Sequence, residues 1–171
     1  MDLSDDSSTA KQQMTDVYEI ESLRKKSEPV AKYLDEAYET TRSFARRLED
    51  YRLDEAAARR LRELADGVVV FVFSAEWCPD CHRNVPVLKL IQDATGIEVN
   101  VFGHLKKDIS DAGRLWKIPP SPPEVEDFGV ERIPLIVVFN PEEELLGEIV
   151  ENPPGGETME KALLDILEAA S

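Results

Sequence analysis

Cysteine is scarce here. Two in 171 residues cannot staple a scaffold together, so a disulfide framework is excluded. Histidine is equally scarce, at two residues, and a zinc centre built on the cysteines would lack its four ligands. Basic side chains are outnumbered 35 to 20 by acidic ones. A net charge of −15 disfavours nucleic acid and anionic membrane as partners, since both would repel the chain. No uninterrupted apolar run approaches the ~20 residues that cross a bilayer. The start, Met1-Asp-Leu-Ser-Asp-Asp-Ser-Ser8, has neither the basic flank nor the apolar core of a secretory signal. The expected location is therefore cytoplasmic, where a nearby cysteine pair is catalytic or metal-binding more often than structural.

What is present centres on those two cysteines. They lie in Trp77-Cys78-Pro79-Asp80-Cys81, directly after the apolar run Val68–Phe73. A buried strand that turns into a helix puts the first sulfur at the helix N-terminus. Unpaired N–H groups and the helix dipole stabilise a thiolate there. The second sulfur falls three residues on, on the same face and within disulfide reach of the first.

The organisation follows from patterning. Residues 1–12 are polar with almost nothing to bury and read as a disordered N-terminus. Residues 13–53 read as an N-terminal helical extension. Val30, Tyr33, Leu34, Ala37, Thr41, Phe44, Leu48 and Tyr51 form one stripe at spacings of three and four, with Pro29 at the first turn. Packing on the body of the protein is the expected use of that stripe, because an exposed apolar stripe is a liability, with binding of another protein or of a second copy as the alternative. A second helix starts near Asp54 as N-cap and ends towards Gly67. The cysteine-containing part is the more acidic. Residues 67–171 carry 8 basic and 19 acidic side chains, against 12 and 16 before them.

From Val68 on, the pattern is strand, helix from Cys78 to about Ala94, and strand over Ile97–Phe102. An irregular segment follows, with a short helix around Asp108–Trp116 and the proline-rich run 118–123. That run serves either as a stiff connector or as a wall of a binding groove. Leu135–Phe139 and Leu145–Val150 read as a hairpin across Asn140–Glu144, and Thr158–Ala169 as a closing amphipathic helix. The order βαβ then ββα implies an α/β fold with a central mixed sheet flanked by helices.

Four features in order resemble the thioredoxin family. Ala75-Glu-Trp-Cys-Pro-Asp-Cys81 is similar to its active-site signature, and Pro86 to the proline that kinks its active-site helix. Phe128-Gly-Val-Glu-Arg-Ile-Pro134 is similar to its element ending in Ile-Pro, and a strand follows directly. The resemblance covers about residues 54–170. It implies a thioredoxin-like domain over 54–171 and a thiol–disulfide oxidoreductase that reduces protein disulfides. Cys78 would attack, and Cys81 would resolve the mixed disulfide, leaving a Cys78–Cys81 bond. Ile133 and Pro134, the latter cis in the family, would face the sulfurs and present an extended substrate. Trp77 and Pro79 would flank them. The implied partners are disulfide-containing client proteins and a reductase that recharges the dithiol, with no cofactor and no metal.

Two positions depart from the family pattern. The buried acid that thioredoxins carry five residues before the tryptophan is replaced by Val72, so deprotonation of Cys81 must rely on water or another group. Asp80 stands where strongly oxidising relatives carry a basic residue. Its charge opposes the Cys78 thiolate and so tunes the dithiol towards electron donation. A different class of function stays open beside the enzyme: a redox-responsive protein-binding module with little turnover. A glutathione-dependent reading is weaker, because Gly155-Gly156 lies too far beyond Pro134 to serve as a glutathione-contacting pair.

Overall fold

The computed structural model describes residues 18–106 and 121–171. In chain order these form α1 (Ile20–Lys26), β1 (Glu28–Pro29), α2 (Val30–Ala37), α3 (Arg42–Asp50), α4 (Glu55–Leu64), β2 (Val69–Phe73), α5 (Pro79–Thr95), β3 (Glu98–Phe102), α6 (Glu124–Asp127), β4 (Leu135–Phe139), β5 (Leu145–Val150) and α7 (Met159–Ala170). The expected helix at 108–116, the first half of the proline-rich run and the N-terminus up to residue 17 lie outside the described residues.

The five strands make one mixed sheet in the order β1-β3-β2-β4-β5. β2 and β3 are parallel, joined by the α5 crossover, while the other pairs run antiparallel. Every residue of β2 (VVFVF) and of β4 (LIVVF) is buried. A strand covered on both faces has no wet side, so neither strand alternates polar with apolar. The chain therefore has the α/β, thioredoxin-like architecture, with helices against the sheet and a single core.

The segment before Asp54 is built into that core. Val30, Tyr33, Leu34, Ala37 and Phe44 are buried in it, and Glu28–Pro29 pairs with Asn100–Val101 as the edge strand. Arg24 grips Glu98 on β3 through Nε at 2.7 Å and Nη2 at 3.0 Å. At the other end, Glu160 is fully buried. It accepts from the Tyr51 hydroxyl at 2.9 Å and from the Asp54 amide at 2.7 Å, pinning the junction of α3 and α4 to α7.

One expectation is corrected. The stripe from Val30 to Tyr51 is two helices, not one: α2 stops at Ala37, and α3 begins after Thr41, whose φ of −123° and ψ of 80° are not helical. The periodicity persists because both helices turn the same side of the chain to the core. The other boundaries are close to those expected. Asp54 caps α4 by accepting from the Ala57 amide at 3.1 Å, and Gly67 follows its end at φ 74°.

Candidate functional site

β2 carries the chain up through the middle of the sheet and releases it at Ser74. The Ser74 amide still donates to Phe102 at 2.9 Å, so the strand's path is fixed to its last residue. Beyond it, Ala75–Trp77 form the loop that enters α5. Trp77 Nε1 donates to the Leu105 carbonyl at 3.1 Å, while 53% of the residue stays exposed beside the sulfurs. His82 Nε2 bonds the Glu76 carbonyl and holds the loop from the other side.

Cys78 is the N-cap of α5, and Pro79 takes the first helical position, where its missing N–H costs nothing. Both cysteines are free. Cys78 Sγ accepts from the Cys81 amide at 3.3 Å and lies 3.6 Å from the Ile133 carbonyl oxygen, to which its thiol donates. The Ile133–Pro134 peptide is cis. The Pro134 carbonyl accepts from the Glu151 amide at 2.8 Å, so the end of β5 secures this loop. Asn84 of α5 donates to the Glu151 carbonyl at 2.7 Å and closes the ring of contacts. Ile133 and Pro134, 56 and 57 residues after Trp77, are thus brought to the first sulfur. Pro79 is exposed, Asp80 half-buried and Cys81 fully buried.

Electrostatically the two sulfurs are unlike. The Cys78 thiol is lowered from its ordinary 9.0 to about 7. The hydrogen bond from the Cys81 thiol is the largest cause. The amides of Cys81 and Asp80 reinforce it, while burial and the Asp80 carboxylate oppose it. Burial pushes the Cys81 thiol strongly up, and its bond to Cys78 adds to that rise. One sulfur is a thiolate near neutral pH and the other a thiol.

Two residues enter the site that the sequence reading missed as site residues. Ser74 is fully buried where β2 hands over to the loop before Cys78, and the Tyr33 hydroxyl lies 3.0 Å from Ser74 Oγ. Tyr33 belongs to the apolar stripe of the N-terminal segment, where it looked like core alone. Val72 itself is fully buried in mid-strand between Val101 and Ile136.

Among the described residues, Glu28, Glu36 and His104 place one potential ligand atom each within 4.8 Å of one another. Neither cysteine belongs to that cluster. No helix among the described residues is long and apolar enough to cross a membrane.

A C-x-x-C pair capping a helix at the end of a central strand, faced by an Ile-Pro loop, defines a thioredoxin-like dithiol protein. Comparison with known proteins agrees. A family model described as Thioredoxin matches residues 27–111. The chain is 38% identical over 76 residues to a thioredoxin of Chlamydia muridarum, a match that covers 44% of this chain and 62% of the relative. A protein of unknown function from Pseudomonas aeruginosa superposes with a TM-score of 0.64 at 25% identity. It covers 85% of this chain and 94% of its own. An HIV epitope-scaffold superposes over the same shares with a TM-score of 0.63 at 26% identity. Shares this large exceed what residues 54–171 alone provide, so the likeness extends into the N-terminal segment. These matches support a thioredoxin family protein.

Proposed function

We propose that this protein is a thiol–disulfide oxidoreductase that reduces disulfides of client proteins through Cys78 and Cys81. The observation that carries the reading is the asymmetry of the pair. A thiolate near pH 7 caps the helix, a buried thiol waits behind it, and a backbone carbonyl at residue 133 stands beside the thiolate.

The Cys78 thiolate attacks one sulfur of a client disulfide. The client's S–S bond breaks, a Cys78–client bond forms, and the first client sulfur leaves as a thiolate that takes up a proton. Cys81 then attacks Cys78 Sγ. The Cys78–Cys81 bond forms, the mixed disulfide breaks, and the second client sulfur departs as a thiol. Two electrons have passed to the client. An upstream reductase returns them to the dithiol, which suits a reducing, cytoplasmic setting. Ile133 and Pro134 border the attacking sulfur where an extended client strand would lie. Exposed Trp77 and Pro79 provide apolar surface on either side of the dithiol.

Insulin reduction with dithiothreitol tests the reading. The protein should turn over insulin, and Cys78→Ser should not. Activity no better than the variant's would leave a thioredoxin-like face that docks partners without turnover. Cys81→Ser should leave clients attached to Cys78 and so identify them.

A further inference from the structure

α3 packs against α5, and an open groove of about 400 Å³ lies between them. Its lining includes Pro79, the residue that follows the attacking cysteine, with Arg46 and Arg47 from α3 and Arg83 from α5. Guanidinium groups from two helices thus stand beside the dithiol of a chain whose net charge is −15.

In so acidic a protein an arginine is expected to find a carboxylate. Arg24 pairs with Glu98, Arg60 with Glu63 and Arg132 with Glu151. Arg46, Arg47 and Arg83 form no ion pair among the described residues. Asp50 is the one carboxylate in the lining, and it too is without an ion pair among the described residues. Arg42, exposed one turn before Arg46, adds a like charge at a spacing that destabilises a helix. The positive charge here is concentrated and left open.

Arg47 is held ready. Its Nε donates to the Arg83 carbonyl at 3.0 Å, and its guanidinium lies over the Tyr51 ring, 4.5 Å from the centroid. The two terminal nitrogens keep their donors, and a guanidinium fixed beforehand loses little freedom when a carboxylate docks. Arg83 lies one helical turn beyond Pro79, on the same face and about 6 Å along the axis. An extended chain covers that distance in about two residues. A client whose disulfide meets Cys78 therefore carries residues roughly two to four positions from its own cysteine past these arginines.

Net charge does not forbid an acidic client. Screening at physiological ionic strength acts within about 8 Å, so at contact the local patch decides.

We propose that this groove docks an acidic segment beside the disulfide of a client protein, with Arg46, Arg47 and Arg83 pairing with its carboxylates. The planar fork of a guanidinium matches a carboxylate better than any point charge does. The proposal rests on the reductase reading and gives its clients a chemical character. Such contacts hold the ground state and the transition state alike, so they act on substrate affinity and not on the chemical step.

The test uses the full-length reduced protein and three synthetic disulfide peptides of equal length, with Glu, Gln or Lys flanking the cysteines. Protein in excess reduces each peptide in a single turnover, and the rate against protein concentration gives a half-saturation and a limiting rate. At low salt the Glu peptide should react about 10-fold faster than the Gln peptide below saturation, from contacts worth a few-fold each. The Lys peptide should be slower still. Near 1 M salt, where the screening length falls to about 3 Å, that advantage should shrink to about twofold. Arg46→Gln combined with Arg83→Gln should shrink it equally, through the half-saturation alone. Arg46→Glu combined with Arg83→Glu should reverse it in favour of the Lys peptide.

A wild-type ratio near one, or a ratio that both double variants leave intact, would overturn the proposal. So would faster reaction of the Glu variant with all three peptides, which would place an acidic segment of this chain itself in the groove. The salt series on the wild type decides the matter if a variant fails to fold. Docking is read apart from chemistry by fluorescence anisotropy of labelled peptides on Cys78→Ser. Selective binding of the Glu peptide there, without reduction by the wild type, would remove the reductase reading and keep the acidic docking site.

Discussion

The Phe44 ring meets the His82 imidazole edge-on, with centroids 5.0 Å apart and planes at 86°. His82 is the residue directly after Cys81, so α3 bears on the active-site helix within its first turn. Arg47 adds a second tie by donating to the Arg83 carbonyl at 3.0 Å. The N-terminal segment thus buttresses the helix that carries both sulfurs.

Phe44→Ala should therefore be costly. The residue is 1% exposed, and truncating a buried phenylalanine costs about 3–5 kcal/mol. For a chain of this length that lowers Tm by on the order of 10 °C, measurable by thermal denaturation under circular dichroism. A loss below about 1 kcal/mol would mean that α3 is loosely held.

Gly103→Ala addresses the same region from the sheet side. The new methyl would fall 2.5 Å from Tyr33 Cε1 and 2.9 Å from Cδ1. Ring or strand has to move, at a typical overpacking cost of about 1–3 kcal/mol. Denaturant unfolding should show the loss. Adding Tyr33→Ala, which clears the space, should make the glycine substitution nearly neutral, and full additivity of the two would deny the contact.

Much of this could be read from the sequence, and the gaps have physical causes. The run into Cys78 and the hairpin across Asn140–Glu144 are local signals, so strand, turn and helix were placed from periodicity and turn chemistry, whereas the Ile133–Pro134 element was legible only through its resemblance to the family motif. Glu28–Pro29 is a two-residue strand, too short to carry any period. The break at Tyr38–Thr41 lacks glycine and proline, and it preserves the apolar spacing, so nothing in the pattern marks it. Tyr33 counted as core because a tyrosine in a stripe gives no hint of where its hydroxyl ends. Its partner, Ser74, is 41 residues away and follows a strand in which every neighbour is apolar.

Asp80→Asn should make the pair more oxidising. The Asp80 carboxylate raises the Cys78 thiol while the Asp80 amide lowers it, and the substitution removes only the first influence. The thiolate, and with it the dithiol form, becomes easier to hold. With an exposed-type charge effect of about 0.5–1 kcal/mol, the potential should rise by roughly 10–20 mV. Equilibration against glutathione measures it. A fall in potential would refute the tuning role.

The pH dependence of alkylation separates the causes that act on Cys78. In the reduced protein its rate of reaction with iodoacetamide should follow one ionisation near pH 7, since only the thiolate reacts. Cys81, held up by burial, should stay unreactive through the same range. Replacing Cys81 with alanine deletes the largest stabilising influence, the thiol hydrogen bond, but keeps both backbone amides. The midpoint should then move upward from 7 while remaining below 9.0. The same shift has a stability counterpart. Because the folded value lies below the unfolded one, the Cys78 contribution is complete above pH 9 and is lost as pH falls through 7. An unmoved midpoint in Cys81→Ala would assign the activation to the helix terminus alone.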